Sequence, residues 1–259
     1  MSVWRLLLIA VSLLAASARA ETPVARIAII IDDLGYGMAL GQRALNLPGP
    51  VSFAVLPATP RAEALANRAQ SLGKDVLLHL PLQSAGTGYT AEPGSLLLDM
   101  SRTQFADAFA LALQSVPHAI GVNNHKGSLL TRHPGHMAWL MQEIHARNDL
   151  FFVDSFTTHE SVALDLAREA GVPAVKRDVF LDPDRLPGTI EREFMRLKEL
   201  ARRRGFAIGI GHPYPVTLDL LEMELPKLEA EGIELVSISR YVSLRSENDK
   251  STPQLTEVE

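Results

Sequence analysis

Eight apolar runs rich in β-branched residues alternate with amphipathic stretches along this 259-residue chain. Each run is short and continuously apolar, as strands buried on both faces of a parallel sheet are. The runs lie at 26–31, 51–56, 75–80, 119–123, 150–153, 173–180, 206–210 and 233–238. Strands that alternate with helices in one domain of this length predict an α/β fold, a parallel (β/α) barrel that is distorted or incomplete. A doubly wound open sheet is the competing architecture.

Helix signals occupy several of the stretches between these runs. Ser101 and Gln104 have the spacing of a capping box, and so do Thr157 and Glu160. The stretch 187–205 passes from an acidic first turn to a basic last turn and stops at a glycine, as the helix dipole favours. These signals predict helices that begin near residues 101, 157 and 187.

The two ends of the chain differ in composition from its middle. Residues 1–20 contain an early arginine, an apolar centre of about a dozen residues and an A-x-A site at Ala18 to Ala20, which predicts a cleaved secretory signal. The apolar centre is shorter than the roughly 20 residues of a membrane-spanning helix, so the mature chain is expected to have no transmembrane segment. We expect one domain over 21–243 and a polar, disordered tail over 244–259.

Composition and motifs exclude several classes of site. The chain has no cysteine, which excludes disulfides, thiolate metal ligands and a cysteine nucleophile. The formal net charge is −5 and no basic run is longer than 202–204, so no nucleic-acid partner is expected. The glycines of 35–41 approach a dinucleotide-binding motif but are spaced one residue too far apart, and the two aspartates before them would repel a pyrophosphate. We therefore expect no nucleotide site.

Polar side chains follow most of the predicted strands, at the point where each strand ends. They are Asp32 and Asp33, His79, Asn124 and His125, Asp154, Arg177 and Asp178, and His212. The carboxyl ends of the strands of a parallel barrel lie on one face, so these side chains are expected to converge. Two histidines and a carboxylate suit a divalent ion such as zinc. Structural interpretations stand beside this one, such as a cap at Asp154 or an ion pair between Arg177 and Asp178.

Five motifs in a fixed order carry a family resemblance. They are "IIIDDLGYG", "LLHLPLQ", "GVNNHKGS", "FFVDS" and "GIGHPYP", within residues 25–243. Together they resemble the divergent polysaccharide deacetylases, a branch of the NodB-like carbohydrate esterases. The resemblance implies a distorted βα barrel, an exported protein in the periplasm or outside the cell, and a metal-dependent deacetylase-type site. It also implies an acetylated polysaccharide or cell-envelope glycan as substrate.

The resemblance also implies roles for individual residues. The adjacent aspartates of the first motif supply the base, Asp32, and a metal ligand, Asp33. The second motif of ordinary NodB-like enzymes holds two histidines four residues apart, whereas His79 is followed at that spacing by Gln83. The Asn-His-x-Gly-Ser motif of the divergent branch makes His125 the expected third ligand.

The remaining implied roles concern proton donation and the support of the site. His212 matches the late histidine that acts as general acid in the family. Asn124, Asp154 and Arg177 are expected to orient a histidine or the base. The expected ion is zinc, and its water is expected to attack an N-acetyl or O-acetyl carbonyl after giving a proton to Asp32.

Two other hypotheses remain open from the sequence. The altered second motif favours a protein that keeps the barrel and binds an envelope glycan, or serves as a scaffold, without turnover. A metal-dependent hydrolase that acts on a bond other than an acetyl bond is the third hypothesis.

Export gives the first testable prediction. Intact-mass analysis of the protein from the cell envelope should find a chain that begins at Glu21, because cleavage is expected after Ala20. A mature protein that retains Met1 would contradict the predicted signal.

Overall fold

The computed structural model of the protein describes residues 24–86 and 90–251, with side chains up to residue 247. The predicted signal segment and the last eight residues of the tail lie outside the described residues. The part of the chain that the structure describes forms nine strands: β1 (Ala25–Leu34), β2 (Ser52–Val55), β3 (Val76–Leu82), β4 (Ala119–Lys126), β5 (Phe151–Asp154), β6 (Ala174–Lys176), β7 (Val179–Phe180), β8 (Phe206–Gly211) and β9 (Ile233–Val236).

In the described ranges, eight α-helices connect and cover these strands. They are α1 (Met38–Leu45), α2 (Ala62–Ser71), α3 (Arg102–Gln114), α4 (Pro134–His145), α5 (Ala163–Glu169), α6 (Pro187–Arg204), α7 (Pro215–Glu224) and α8 (Ile238–Ser251). Among the described residues, no helix combines the length and the apolar character that crossing a membrane requires.

All the strands belong to one parallel sheet that curls into an incomplete barrel. The strand order is β6-β5-β4-β3-β2-β1-β8-β7, and β9 pairs with the first half of β1. The sheet has separate apolar cores on its two faces. Side chains such as Ile30, Leu77 and Ile208 fill the inside, while a larger core lies between the outer face and the helices. Helices therefore cover the outside of a curled sheet, which confirms the distorted barrel and excludes the doubly wound alternative.

The predicted strand at 173–180 is divided in two. β6 pairs with β5, and β7 pairs with β8 on the other side of the gap in the barrel. Between them the Arg177 amide donates to Asp154 O, and the Asp178 amide donates to Ile208 O. This segment has to leave one strand partner for another, and so it cannot remain a single strand.

Two helix boundaries also differ from the sequence predictions. Ser101 and Gln104 form the predicted capping box of α3, but α5 begins only at Ala163. The hydroxyl of Thr157 donates to Lys126 O instead of capping a helix, because the loop after β5 packs against the end of β4. Residues 244–251 of the expected disordered tail are helical instead, since α8 continues to Ser251.

The end of β1 is bent at the two aspartates. The pairing of β1 with β2 shifts register between Ile31 and Leu34, and Asp33 has a left-handed φ of 60°. Gly35 follows with a φ of 135°, and a Cβ at this position would collide with Thr59 Oγ1. The turn after β1 therefore depends on a residue without a side chain.

Gly35→Ala is expected to lower the free energy of unfolding by about 1–3 kcal/mol, because alanine is strained at this φ and collides with Thr59. Gly37→Ala is the matched control, since a Cβ there has no atom within 4 Å. We expect it to cost less than about 1 kcal/mol. Urea unfolding of both variants measures the difference, and equal effects would contradict the role of Gly35.

Candidate metal centre

Side chains alternate between the two faces of a strand, and this alternation, called strand parity below, determines which of them face the inside of the barrel at its carboxyl end. Side chains two residues apart along a strand share a face. Ile30 and Leu77 belong to the inner core, so Asp32 and His79 continue their rows. Among the described residues, the inward-facing rows end in six polar side chains: Asp32, His79, Asn123, Ser155, Arg177 and His212. His125 continues the row of Asn123 at the end of β4.

Asp33 joins this group through its backbone conformation. In a regular strand, Asp33 would point away from Asp32. The left-handed φ of Asp33 and the register shift of β1 bring both carboxylates to the same imidazole. Asp32 Oδ2 lies 3.6 Å and Asp33 Oδ1 lies 3.2 Å from His79 Nε2. Non-glycine residues with this backbone are strained and concentrate at functional sites.

Three electron-pair donors converge at the end of the barrel. Asp33 Oδ1 lies 3.0 Å from His125 Nδ1 and 3.2 Å from His79 Nε2, and the two ring nitrogens are 3.0 Å apart. In tetrahedral zinc sites with bonds of 2.0–2.1 Å, neighbouring ligand atoms are about 3.3 Å apart. Asp33, His79 and His125 thus form a group that could hold a metal ion, in the geometry that a small divalent cation requires. These three residues are called the metal group below.

The outer partners of the two imidazoles fix their neutral tautomers. His79 Nδ1 lies 2.9 Å from Asn123 Oδ1, which can only accept, so the proton of a neutral His79 is on Nδ1. His125 Nε2 lies 3.0 Å from a Glu92 oxygen, which likewise holds the proton of that ring on Nε2. Both inner nitrogens then present lone pairs, and the buried Asp33 Oδ1 has no hydrogen-bond donor. A cation satisfies all three atoms at once.

The charges at this site attract positive charge. Burial lowers the pKa of His79, but Asp32 and Asp33 outweigh this effect and raise the pKa to about 9. Burial raises the pKa of Asp33, but His125 and His79 outweigh it when protonated and hold that pKa well below its usual range. A proton thus occupies Nε2 of His79 when no other cation neutralises the carboxylates, and a metal ion competes with it.

His212 faces the metal group from β8, across the top of the barrel. Its Nε2 lies 3.7 Å from Asp33 Oδ2, and its Nδ1 lies 2.8 Å from Asp182 Oδ1. Asp182 is buried, and its other oxygen accepts from the His212 amide and the Thr217 hydroxyl. Burial lowers the pKa of His212, but the hydrogen bond and charge of Asp182 outweigh it and raise the pKa. Asp182 therefore fixes the ring with Nε2 turned towards the centre.

The three residues that were expected to orient the site have different contacts. Asn124 accepts from the Ser155 amide and donates to Lys126 O, so it joins the ends of β4 and β5. The Asp154 oxygens accept from the Phe156 amide and the Ser161 hydroxyl. Neither forms a hydrogen bond with Asp32 or a site histidine, because both lie on the outward-facing parity of their strands. Arg177 faces inward and lines the same cavity as the site.

Three supporting residues were missed from the sequence: Asn123, Glu92 and Asp182. Asn123 donates to Asp32 Oδ1 over 2.8 Å in addition to its contact with His79. Strand parity could have found Asn123, since His125 two residues later was already expected to face the site. Glu92 and Asp182 lie on connections outside the predicted strand ends, where the sequence offers no such signal.

Gln83 does not replace the missing second histidine. Its side-chain oxygen accepts from the Leu98 amide over 2.8 Å, which anchors the loop after β3. His125, on the neighbouring strand, is instead the second imidazole of the group that could hold a metal ion. The cavity above the metal group has a volume of about 340 Å³, and it is lined on one side by Phe156, Phe180 and Ile210.

Comparison with known proteins identifies the family of this chain. The divergent polysaccharide deacetylase family matches residues 29–242. The chain belongs to this family. An uncharacterized protein of Haemophilus influenzae is 39% identical to this chain over 213 residues, which cover 82% of this chain and 75% of the relative. The uncharacterized Escherichia coli protein YibQ is 36% identical over 228 residues, which cover 88% of this chain and 70% of YibQ.

Solved structures share the fold of this chain. The uncharacterized protein ATU2773 of Agrobacterium tumefaciens superposes with a TM-score of 0.81 at 24% identity, over 86% of this chain and 91% of that one. Peptidoglycan deacetylase PdaC of Bacillus subtilis gives 0.50 at 16% identity, over 89% and 96%. BA3943 of Bacillus anthracis, a CE4 family pseudoenzyme, gives 0.51 at 14% identity, over 85% and 66%. The fold is therefore common to enzymes and pseudoenzymes.

Zinc binding tests the ligand group. His125→Ala is expected to lower the affinity for zinc about as much as His79→Ala, because each change removes one of three ligands. The loss should exceed the roughly 10- to 100-fold that removal of an outer partner costs. Competition with a chromophoric chelator measures it, and His145→Ala on the exposed end of α4 is the control. Full zinc affinity in His125→Ala would move the ligand role to His212.

Proposed function

We propose that this protein is a metal-dependent deacetylase that removes N- or O-acetyl groups from a polysaccharide or glycan of the cell envelope. The observation that carries the proposal is a buried carboxylate and an imidazole on either side of the metal group. Asp32 and His212 are not needed as ligands, and each is held by a partner of its own, Asn123 or Asp182. A site that only bound a metal would need neither.

The ligand group fits zinc in its atoms and its spacing. Two imidazole nitrogens and one carboxylate oxygen are the ligand types of catalytic zinc sites, which keep further positions open. When bound, a divalent cation lowers the pKa of a water molecule and polarises a carbonyl oxygen. Asn123 and Glu92 hold the two imidazoles in the tautomers that the group needs.

Asp32 is placed to accept the proton of the attacking water. Its Oδ1 is occupied by Asn123, which leaves Oδ2 directed at the metal group. Burial raises the pKa of Asp32 and outweighs the opposing effects of His79 and His212, so the carboxylate is a stronger proton acceptor than an exposed one. One aspartate of the pair is thereby left for proton transfer while its neighbour contributes a ligand atom.

His212 is placed to protonate the leaving nitrogen or oxygen. Its Nδ1 proton is held by Asp182, so Nε2 is the atom that can give a proton into the cavity. The raised pKa of His212 favours the imidazolium form from which this transfer starts. Asp182 keeps the ring in place during the transfer, as a carboxylate does when it orients a catalytic histidine.

An exported location follows if the predicted signal is cleaved, and it would bring the site to glycans of the envelope. The alternative is a glycan-binding or scaffold protein without turnover, which the BA3943 pseudoenzyme and the altered second motif favour. The presence of both proposed proton-transfer groups, Asp32 and His212, favours the enzyme. Metal content and acetate release, measured on one preparation with acetylated glycans, discriminate between the two.

The two adjacent aspartates give the sharpest test. Asp33→Ala is expected to lose the metal and all acetate release, because a ligand is removed. Asp32→Asn should keep the metal, while acetate release falls by about 10²- to 10⁴-fold through loss of the proton acceptor. Metal content by mass spectrometry and released acetate are measured on the same samples.

The controls for this test separate the remaining outcomes. Asp165→Asn, on the exposed face of α5, controls for the loss of a carboxylate far from the site. Normal turnover in Asp32→Asn would show that the base is wrongly assigned. Metal binding by the wild type without acetate release from any acetylated glycan would favour the binding protein.

A further inference from the structure

Arg177 lies in the wall of the cavity that holds the metal group. It continues the inward-facing row of Val175. At this point the chain stops pairing with β5 and begins to pair with β8. The cavity that it lines is also lined by Asp32 and His212. The roles proposed above for proton transfer and metal binding do not require this guanidinium.

Neutral groups hold the guanidinium in place. Its Nε donates to Ser155 O over 2.7 Å, and its Nη2 donates to Phe156 O over 3.1 Å. The guanidinium carbon, Cζ, lies 5.1 Å from the centre of the Phe180 ring. An arginine has five N–H donors, and among the described residues only these two carbonyls accept from it. The arginine is thus fixed in position while several donors remain.

The nearby carboxylates are engaged by other groups. Asp154 accepts from the Phe156 amide and the Ser161 hydroxyl, and Asp178 accepts from Arg204 and the Ile208 amide. In the described part of the chain, no carboxylate lies within ion-pair distance of Arg177. Burial disfavours the charge of Arg177 and lowers the pKa of the guanidinium, and the charges of Asp32, Asp154 and Asp178, which act from beyond contact distance, do not fully offset this. Arginine in such a position is used where a planar anion has to be bound.

The loop that positions Arg177 is itself strained. Phe156 has a left-handed φ of 50°, which is rare for an aromatic residue. Its amide is held by Asp154 and its carbonyl by Arg177. This conformation directs two successive carbonyl oxygens at one guanidinium. Such strain persists only where the surrounding contacts enforce it, and it concentrates at ligand sites.

We propose that Arg177 binds a carboxylate of the substrate, so that the acetylated glycan is an acidic one whose carboxylate lies close to the acetyl group. This inference rests on the proposed function and narrows its substrate class. The guanidinium fork matches a carboxylate through two parallel hydrogen bonds. The remaining donors of Arg177 would then be used, and the substrate would be oriented with its acetyl group towards Asp32 and His212.

A carboxylate suits this cavity better than a phosphate does. Arg177 is a single cation, and Lys126 beside it is engaged by Glu92 over 2.6 Å. Asp32 and Asp33 add negative charge at the same end of the barrel. When no metal ion is bound, a dianionic group would meet more repulsion from these two carboxylates than a monoanion would, because Coulomb repulsion increases with the charge of the group.

The test measures binding with three matched probes. They are an N-acetylhexosamine oligomer with a carboxylate on alternate sugars, the same oligomer with each carboxylate converted to a methyl amide, and a phosphorylated counterpart. Titration calorimetry on the purified protein, with zinc and after chelation, should show about 10- to 100-fold tighter binding of the carboxylate than of the amide. The phosphorylated oligomer should bind no more tightly than the carboxylate.

Variants assign the preference to one residue. Arg177→Gln should abolish the ratio between the carboxylate and amide affinities, and Arg177→Lys should retain part of it. Arg168→Gln, which removes the same charge beside a separate cavity at the amino ends of β6 and β8, should keep the ratio. The ratio is taken within each protein, so a general loss of stability does not mimic the result.

The possible failures are distinguishable. Equal binding of the carboxylate and amide by the wild type would overturn the inference, and so would a preference that chelation removes and Arg177→Gln leaves intact. Tighter binding of the phosphorylated oligomer would overturn the choice of carboxylate. Acetate release with no preference would leave the proposed function standing, whereas an Arg177-dependent preference without acetate release would remove the enzyme and keep the anion site.

Discussion

The convergence of Asp33 Oδ1, His79 Nε2 and His125 Nδ1 is the constraint on which the rest of the site depends. Three electron-pair donors about 3 Å apart repel one another unless a proton or a metal ion lies among them. The structure keeps them together because His79 and His125 stand on adjacent, fully paired strands. The parallel register of β3 and β4 places Asn123 opposite His79 and leaves His125 two residues further along.

The second constraint is local to the end of β1. Two successive carboxylates can face one imidazole only if the strand is interrupted between them, and the left-handed Asp33 provides that interruption. The turn at Gly35 then leads the chain away from the site. The cost of this backbone is offset by the buried pairing of β1 with β2, β8 and β9. The central strand of the barrel is therefore also the one that contributes both a ligand and the proposed base.

The barrel by itself does not distinguish an enzyme from a binding protein. The solved structures with this fold include both a peptidoglycan deacetylase and a pseudoenzyme. The difference has to lie in the groups that move protons, which the fold does not need. In this chain both Asp32 and His212 have buried partners that hold them in place, Asn123 and Asp182. Arg177 adds a fixed cation whose only described acceptors are neutral.

The sequence by itself determined the sheet, the strand ends and the residue types of the metal group. Continuous apolar runs are sufficient for this, because buried parallel strands require them wherever they occur. The polar ends of the strands predicted that these side chains converge on one face, and the resemblance to the divergent polysaccharide deacetylases selected Asp33, His79 and His125 among them. Asn124 was expected to orient a histidine, whereas Asn123 makes that contact. Strand parity, which is local, could have indicated Asn123.

Only the tertiary structure decided the remaining features. The division of the predicted strand 173–180 depends on which strands lie on either side of the barrel gap. The contacts of Glu92 and Asp182 join loops to strands that are distant in sequence. The left-handed backbone of Asp33 and Phe156 is likewise enforced by contacts with other strands and loops. Local sequence patterns report the period and burial of one segment, whereas these features are fixed by hydrogen bonds between segments, which no local pattern contains.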